Sequence, residues 1–101
     1  MSAALRIQRI DATHVRVEGE LGFGNAPDGV ARTDELFAGT GSEVVVDLGG
    51  LARADSAALG VLLIWAARAA LRRVRLRFSN VPAGLRALAH LCDAEPLLGI
   101  A

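Results

Sequence analysis

The stretch "RADSAALGVLLIWAARAALRR", Arg53 to Arg73, decides how the rest of the chain is read. Eleven consecutive residues, Ala57 to Ala67, are apolar or glycine, and they follow directly on Asp55-Ser56. The run is too short to cross a bilayer, which needs about 20 residues. It reads as one long helix, about Ala57 to Arg73, of a soluble domain. At about 100° per residue, Leu59, Leu62, Leu63, Ala66 and Ala70 gather on one side as the expected core face. Arg68 and Arg72 lie roughly opposite, and Val61, Ile64 and Trp65 share that charged side.

Large apolar residues beside arginines have two readings. A helix that is apolar all round is usually buried, which would place Trp65 and Ile64 under another part of the chain, such as its C-terminal turn. Alternatively, a contiguous apolar cluster rimmed by arginine is a protein-docking patch; Trp and Arg are the side chains that most often carry interface energy. The second reading is preferred because a chain this small has few elements left to cover the face. It assigns partner binding to Arg53, Asp55, Ser56, Val61, Ile64, Trp65 and Arg68, and the same face could also pair two copies of the chain.

Ser56 also has two readings. Its hydroxyl can cap the helix, which is worth about 1 kcal/mol against alanine. It can also be a phosphoacceptor, since a phosphate there would meet the positive end of the helix dipole. Up to about two negative charges would then sit beside the docking face and oppose docking while the domain stayed folded.

Upstream, Val44-Val45-Val46 is a continuous β-branched run followed by Asp47-Leu48, the pattern of a strand covered on both faces. Gly49 to Ala54 reads as a loop. Downstream, Val74 to Phe78 alternates, with arginines on one face of a strand. Near the N-terminus, Leu5 to Gln8 and Val15 to Glu18 alternate on either side of a turn at Asp11-Ala12-Thr13, which predicts a hairpin. Gly19 to Gly24 breaks regularity. Asn25 and Pro27 open a helix whose buried stripe would be Val30, Leu36 and Phe37, ended by Gly39 and Gly41. Pro82 opens a last helix in which Leu85, Leu88, Ala89 and Cys92 share one face, and Glu95 to Leu98 forms a short turn.

The order is β-β-α-β-α-β-α, with strands and helices alternating after a hairpin. It predicts an α/β fold: a mixed sheet of about four strands with a mostly parallel core. Residues 1–101 form a single domain, the number expected for 101 residues.

Composition excludes several classes. Eleven arginines balance eleven acidic residues, and there is no lysine; a nucleic-acid binder usually shows a basic excess. Hydrophobic residues make up 52% and aromatics 4%, so the core is aliphatic. Cys92 is the single cysteine, which leaves no intramolecular disulfide. No secretory signal opens the chain, so a cytoplasmic location is expected.

"VVVDLGGLARADSAALGVLL" (residues 44–63), with "VEGEL" (17–21) before it and "NVPAGLRALAHL" (80–91) after it, resembles STAS domains. That is the family of anti-sigma-factor antagonists and related bacterial regulatory subunits. The likeness covers nearly the whole chain. Within the family it is most similar to the small standalone STAS subunit of the Mla phospholipid-transport system. The resemblance implies a cytoplasmic protein, peripheral to the inner membrane through its complex, that binds an ABC ATPase and supports a transporter maintaining outer-membrane lipid asymmetry. It also implies a partner surface around the Asp-Ser loop and the following helix. Ser56 matches the Ser/Thr that is phosphorylated in anti-sigma antagonists. The alternative it implies is therefore a phosphorylation-switched antagonist that binds an anti-sigma serine kinase. Two departures weigh against that alternative: Gly22 follows Gly19-Glu20-Leu21 where those antagonists commonly have Asp, and Ala58 stands where they tend to have Gly.

Other chemistry finds little support in the residues. His14 and His90 have no second ligand at metal spacing. Ser56 lacks a histidine base for nucleophilic catalysis. Gly22-Phe23-Gly24 and Gly39-Thr40-Gly41 lack the lysine of a phosphate-binding loop. Asp47 and Asp55 are explained by loop termination and helix-end electrostatics. Cys92 reads as a small core filler. The sequence predicts a binding protein with no cofactor or metal, no nucleic-acid partner, no membrane insertion and no catalysis. A small-ligand sensor on the same fold is a third reading with only the fold's versatility behind it.

Overall fold

The computed structural model describes residues 4–100. Strands β1 (Arg6–Arg9) and β2 (His14–Leu21) pair antiparallel, with Ile7 opposite Val17. The Asp11 carboxylate closes their turn by accepting from the Thr13 backbone N–H at 2.8 Å. That bond, together with one from His14, holds the carboxyl well below its ordinary range, at about 2.

Two short helices follow, α1 (Ala26–Ala31) and α2 (Thr33–Phe37), where the sequence suggested one. The Thr33 hydroxyl donates back to the Val30 carbonyl at 2.6 Å, one of the local bonds that compete with helix continuation. Strand β3 (Glu43–Ala54) then runs parallel to β2. The long helix α3 (Ser56–Leu71) returns the chain to β4 (Arg75–Ser79), parallel to β3, and α4 (Ala83–Leu91) and α5 (Glu95–Leu98) end the described chain. The sheet order is β1-β2-β3-β4, so the expected mixed sheet with a hairpin edge and parallel core is what forms.

Alternation along the strands places the core on one side of this sheet. Val15, Val17, Val44, Val46, Leu48 and Phe78 are buried there against Leu59, Leu62 and Trp65 of α3. The expectation that β3 is covered on both faces is corrected. Val45 and Asp47 are only half-buried, and their in-register partners Arg77 and Arg16 are exposed. The β-branched run is there for strand propensity rather than double burial: the outer face is open, and ion pairs such as Arg6–Glu18 (3.5 Å) and Arg16–Asp47 (3.8 Å) lie across it. The segment Gly49 to Ala54, expected as a loop, continues β3 instead, since pairing with β2 runs on to Ala54 opposite Leu21. This extension carries Asp55 to the carboxyl end of the sheet, beside the end of β2.

In α4, Leu85 and Ala89 are buried as expected, but Cys92 is exposed. It lies past the helix as the C-cap residue, so the heptad spacing that suggested core did not extend to it. No helix among the described residues is long and apolar enough to cross a membrane.

Candidate docking face

The buried side of α3 is turned by about 90°, on helical geometry, from the face expected. Ala58, Leu59, Val61, Leu62, Trp65 and Ala69 are buried, and Ala70 is exposed. This overturns the exposure of Trp65 and Val61. The indole is completely buried, and its Nε1–H donates to the Gly29 carbonyl at 3.1 Å. Helix α1 lies across this side of α3, and Gly29 makes that close approach feasible. A Cβ on residue 29 would sit 3.0 Å from Leu21 Cδ1 and 3.2 Å from Val61 Cγ1. The short helices between β2 and β3 thus cover the face that the sequence reading left open.

The arginines on that side are braces. Arg68 Nη1 donates to the Val30 carbonyl at 3.0 Å, near the end of α1, and to Thr33 Oγ1 at 2.9 Å, at the start of α2. Arg72 pairs with Asp34, and its guanidinium lies 4.6 Å over the Phe37 ring. Arg9 reaches from β1 to the Leu36 carbonyl at 2.8 Å and to Thr40 Oγ1 at 2.6 Å. Arg68 is therefore occupied within the chain, which corrects its assignment as a free partner contact.

What remains open on α3 is a different stripe. Ser56, Gly60, Ile64, Ala67 and Leu71 are exposed, at spacings that keep them on one side of the helix, away from Trp65. Ile64 is 38% exposed and Leu71 85%. The stripe carries no charge. At its N-terminal end, Arg53 and Asp55 are exposed as well. So Arg53, Asp55, Ser56 and Ile64 lie on the open side, while Gly60, Ala67 and Leu71 were missed because they had no distinguishing chemistry in the sequence.

The capping role also changes hands. Asp55, not Ser56, is the N-cap of α3. Its backbone is extended (φ −125°, ψ −168°), and its Oδ1 accepts from the Ala57 N–H at 2.8 Å. Ser56 is already the first helical residue, so its side chain is turned outward; its exposed hydroxyl has no hydrogen bond among the described residues. The second oxygen of Asp55 accepts from the Phe23 N–H at 3.1 Å, tying the β2–α1 loop to the helix start. Asn25 does not cap α1 with its side chain; instead its Oδ1 accepts from Gly22 N at 3.0 Å and its Nδ2 donates to the Glu20 carbonyl at 2.9 Å. The loop therefore holds out Phe23, 75% exposed, in a segment whose glycines the sequence had suggested only as a chain break and a rejected phosphate loop.

A second constellation holds the β3–β4 end. Asp47 Oδ1 accepts from Asn80 Nδ2 at 3.0 Å and from the Gly49 N–H at 2.8 Å. The Asn80 bond, then the Gly49 bond, lower its carboxyl below the ordinary range. His14 pairs with Asp11 (3.0 Å) and His90 with Glu95 (2.7 Å), each at a turn or helix end. Among the described residues no group of His, Cys, Asp and Glu is placed to hold a metal ion.

A protein-family model described as "Mlab, STAS domain" matches residues 5–99. Among solved structures, the unphosphorylated anti-sigma factor antagonist SpoIIAA superimposes with a TM-score of 0.70 at 18% identity, over 97% of this chain and 88% of that one. An anti-sigma factor antagonist from Mycobacterium paratuberculosis gives 0.69 at 18% identity, over 98% and 85%. A sulfate transporter family protein from Wolinella succinogenes gives 0.66 at 16% identity, over 93% and 76%. At these identities the structural likeness establishes the fold. Comparison with curated proteins gives no match.

Proposed function

The chain belongs to the STAS domain family, and we propose that within it this protein is a non-catalytic regulatory and assembly subunit in the cytoplasm. Its partner is the ABC ATPase of an Mla-type phospholipid transporter that maintains outer-membrane lipid asymmetry. The observation that carries the docking part is the uncharged, exposed stripe Ser56, Gly60, Ile64, Ala67 and Leu71. Small residues at positions 60 and 67 let another backbone come close, and Ile64 and Leu71 supply apolar area to bury. The family model's description supports the choice of transporter.

The test is affinity for a purified Mla-type ATPase, with Ile64→Arg and Leu71→Arg as probes. Both positions are exposed, so the domain keeps its fold while a charge enters the stripe. Binding weakens at least tenfold in each if the stripe is the interface. Absence of binding by the wild-type chain removes the transporter reading. Wild-type binding that both variants retain moves the interface elsewhere.

A second reading has one observation in its favour. The exposed, unengaged Ser56 hydroxyl is accessible to an anti-sigma serine kinase. Incubation with that kinase and ATP, followed by intact mass measurement, shows a phosphate gain at Ser56 on this reading and none on the first.

A further inference from the structure

The arginines on the open face of the sheet are not used alike. Arg6 pairs with Glu18, and Arg16 lies 3.8 Å from Asp47. Arg77 on β4 is exposed and makes no hydrogen bond or ion pair among the described residues. Its in-register partner on β3 is the apolar Val45. Of the acids diagonal to it, Glu43 stands opposite Arg75, and Asp47 is already engaged. Asp47 Oδ1 accepts from Asn80 Nδ2 and from the Gly49 N–H, while Oδ2 faces Arg16 on β2. Asn80, at φ 52°, turns the chain out of β4 and holds that carboxylate on the β2 side. Arg77 lines a recess of about 180 Å³ at the carboxyl end of β4, together with Ser79, Asn80 and Arg86. No acidic residue is among its described lining. Ser79 lies two residues along the strand from Arg77, on the same face. Its half-buried hydroxyl makes no hydrogen bond among the described residues.

We propose that this recess binds a phosphate group, carried by a small phosphomonoester or by a lipid headgroup, with the Arg77 guanidinium as its main contact and the Ser79 hydroxyl as a second donor. A guanidinium presents paired N–H donors that match phosphate oxygens, and such charge-assisted bonds are the strong ones. Arg86 brings a second positive charge to the same recess from α4. Donors arriving from two elements suit a tetrahedral anion, whose oxygens point in several directions, better than a flat carboxylate. The volume decides how much of a ligand enters. Water takes about 30 Å³ per molecule in the liquid, so the recess holds one phosphate and a few waters. Pockets for drug-sized ligands begin at about 300 Å³, so the organic part of an ester stays outside. The recess lies at β4 and the docking stripe on α3, so this site goes beyond the docking reading and does not rest on it.

Titration of the full chain with inorganic phosphate, followed by amide NMR, tests it, with chloride and acetate at matched ionic strength as controls. The Ser79 and Asn80 amides shift and saturate with a Kd of about 1 mM, and neither control reproduces the effect. Arg77→Gln weakens binding about tenfold, the loss of one charge-assisted contact. Arg75→Gln removes the same charge from the same strand face outside the recess; salt screens it, and the loss stays below about twofold. Both side chains are exposed, so unchanged amide spectra elsewhere verify the fold of each variant. Absence of a saturable shift, an equal response to acetate, or equal losses in the two variants overturns the site. Co-sedimentation with phosphatidylcholine vesicles, with and without phosphatidic acid, separates the two sources. Retention that needs phosphatidic acid and is lost in Arg77→Gln assigns a lipid headgroup. No retention, with the phosphate titration intact, assigns a soluble ester.

Discussion

Trp65 offers the sharpest test, because its burial replaced its role as a partner contact. The perturbation is Trp65→Ala. The indole is completely buried between the sheet and α1, and truncating a buried aromatic costs about 3–5 kcal/mol through lost burial and the cavity left behind. The Nε1–H bond to Gly29 goes with it, as part of that cost. A domain of this kind is stable by about 5–15 kcal/mol, so the variant loses a large share of its stability. With a urea m-value of about 2 kcal/mol/M, the midpoint falls by about 2 M. Far-UV circular dichroism is the assay, because the chain's single tryptophan is removed. The wild-type protein gives an independent check: as its only tryptophan, Trp65 reports a blue-shifted emission that resists acrylamide. A midpoint within about 0.5 M of wild type, or an emission freely quenched in the native monomer, would falsify the packing of α1 on α3.

Three further outcomes follow from the geometry. Arg68→Ala removes two bonds to the α1–α2 junction; in this solvent-accessible setting it costs about 1 kcal/mol, read as a small midpoint shift without a tenfold loss of partner binding. Asp47 is held below its ordinary value near 3.8, so its contribution is complete above about pH 4 and is lost as pH falls through its depressed native value. Asp47→Asn therefore flattens the acid limb of the stability profile, and an unchanged limb refutes the Asn80–Gly49 clasp. Arg73 sits at φ 56° just past α3, a conformation that disfavours a side chain. Arg73→Gly raises stability by about 0.5–1 kcal/mol, and a lower melting temperature would contradict that backbone assignment.

Strands β2 and β4 were legible from the sequence for a simple reason, whereas the far half of β3, Gly49 to Ala54, was not. Alternation has a period of two, and in Val15-Arg16-Val17-Glu18 and Arg75-Leu76-Arg77-Phe78 the apolar and charged residues contrast strongly. The loop-helix pair Asp55-Ser56 and the run behind it were equally plain, and together with the hairpin they specified the element order. What the run could not reveal was which of its sides is buried. From Ala57 to Ala67 every position is apolar or glycine, so no contrast marks an inner face, and arginine was read as facing solvent. Only the tertiary structure turned the helix. Gly29 let α1 settle over Trp65, the guanidinium groups of Arg68 and Arg72 found acceptors on α1 and α2, and the long stems of arginine reach such neighbours while remaining partly wet. The choice between Asp55 and Ser56 as the cap was likewise a matter of one residue's backbone angles and of what lay across from it. The sequence determined that a capped apolar helix crosses this sheet; the packing of two short helices decided which of its residues are left for a partner.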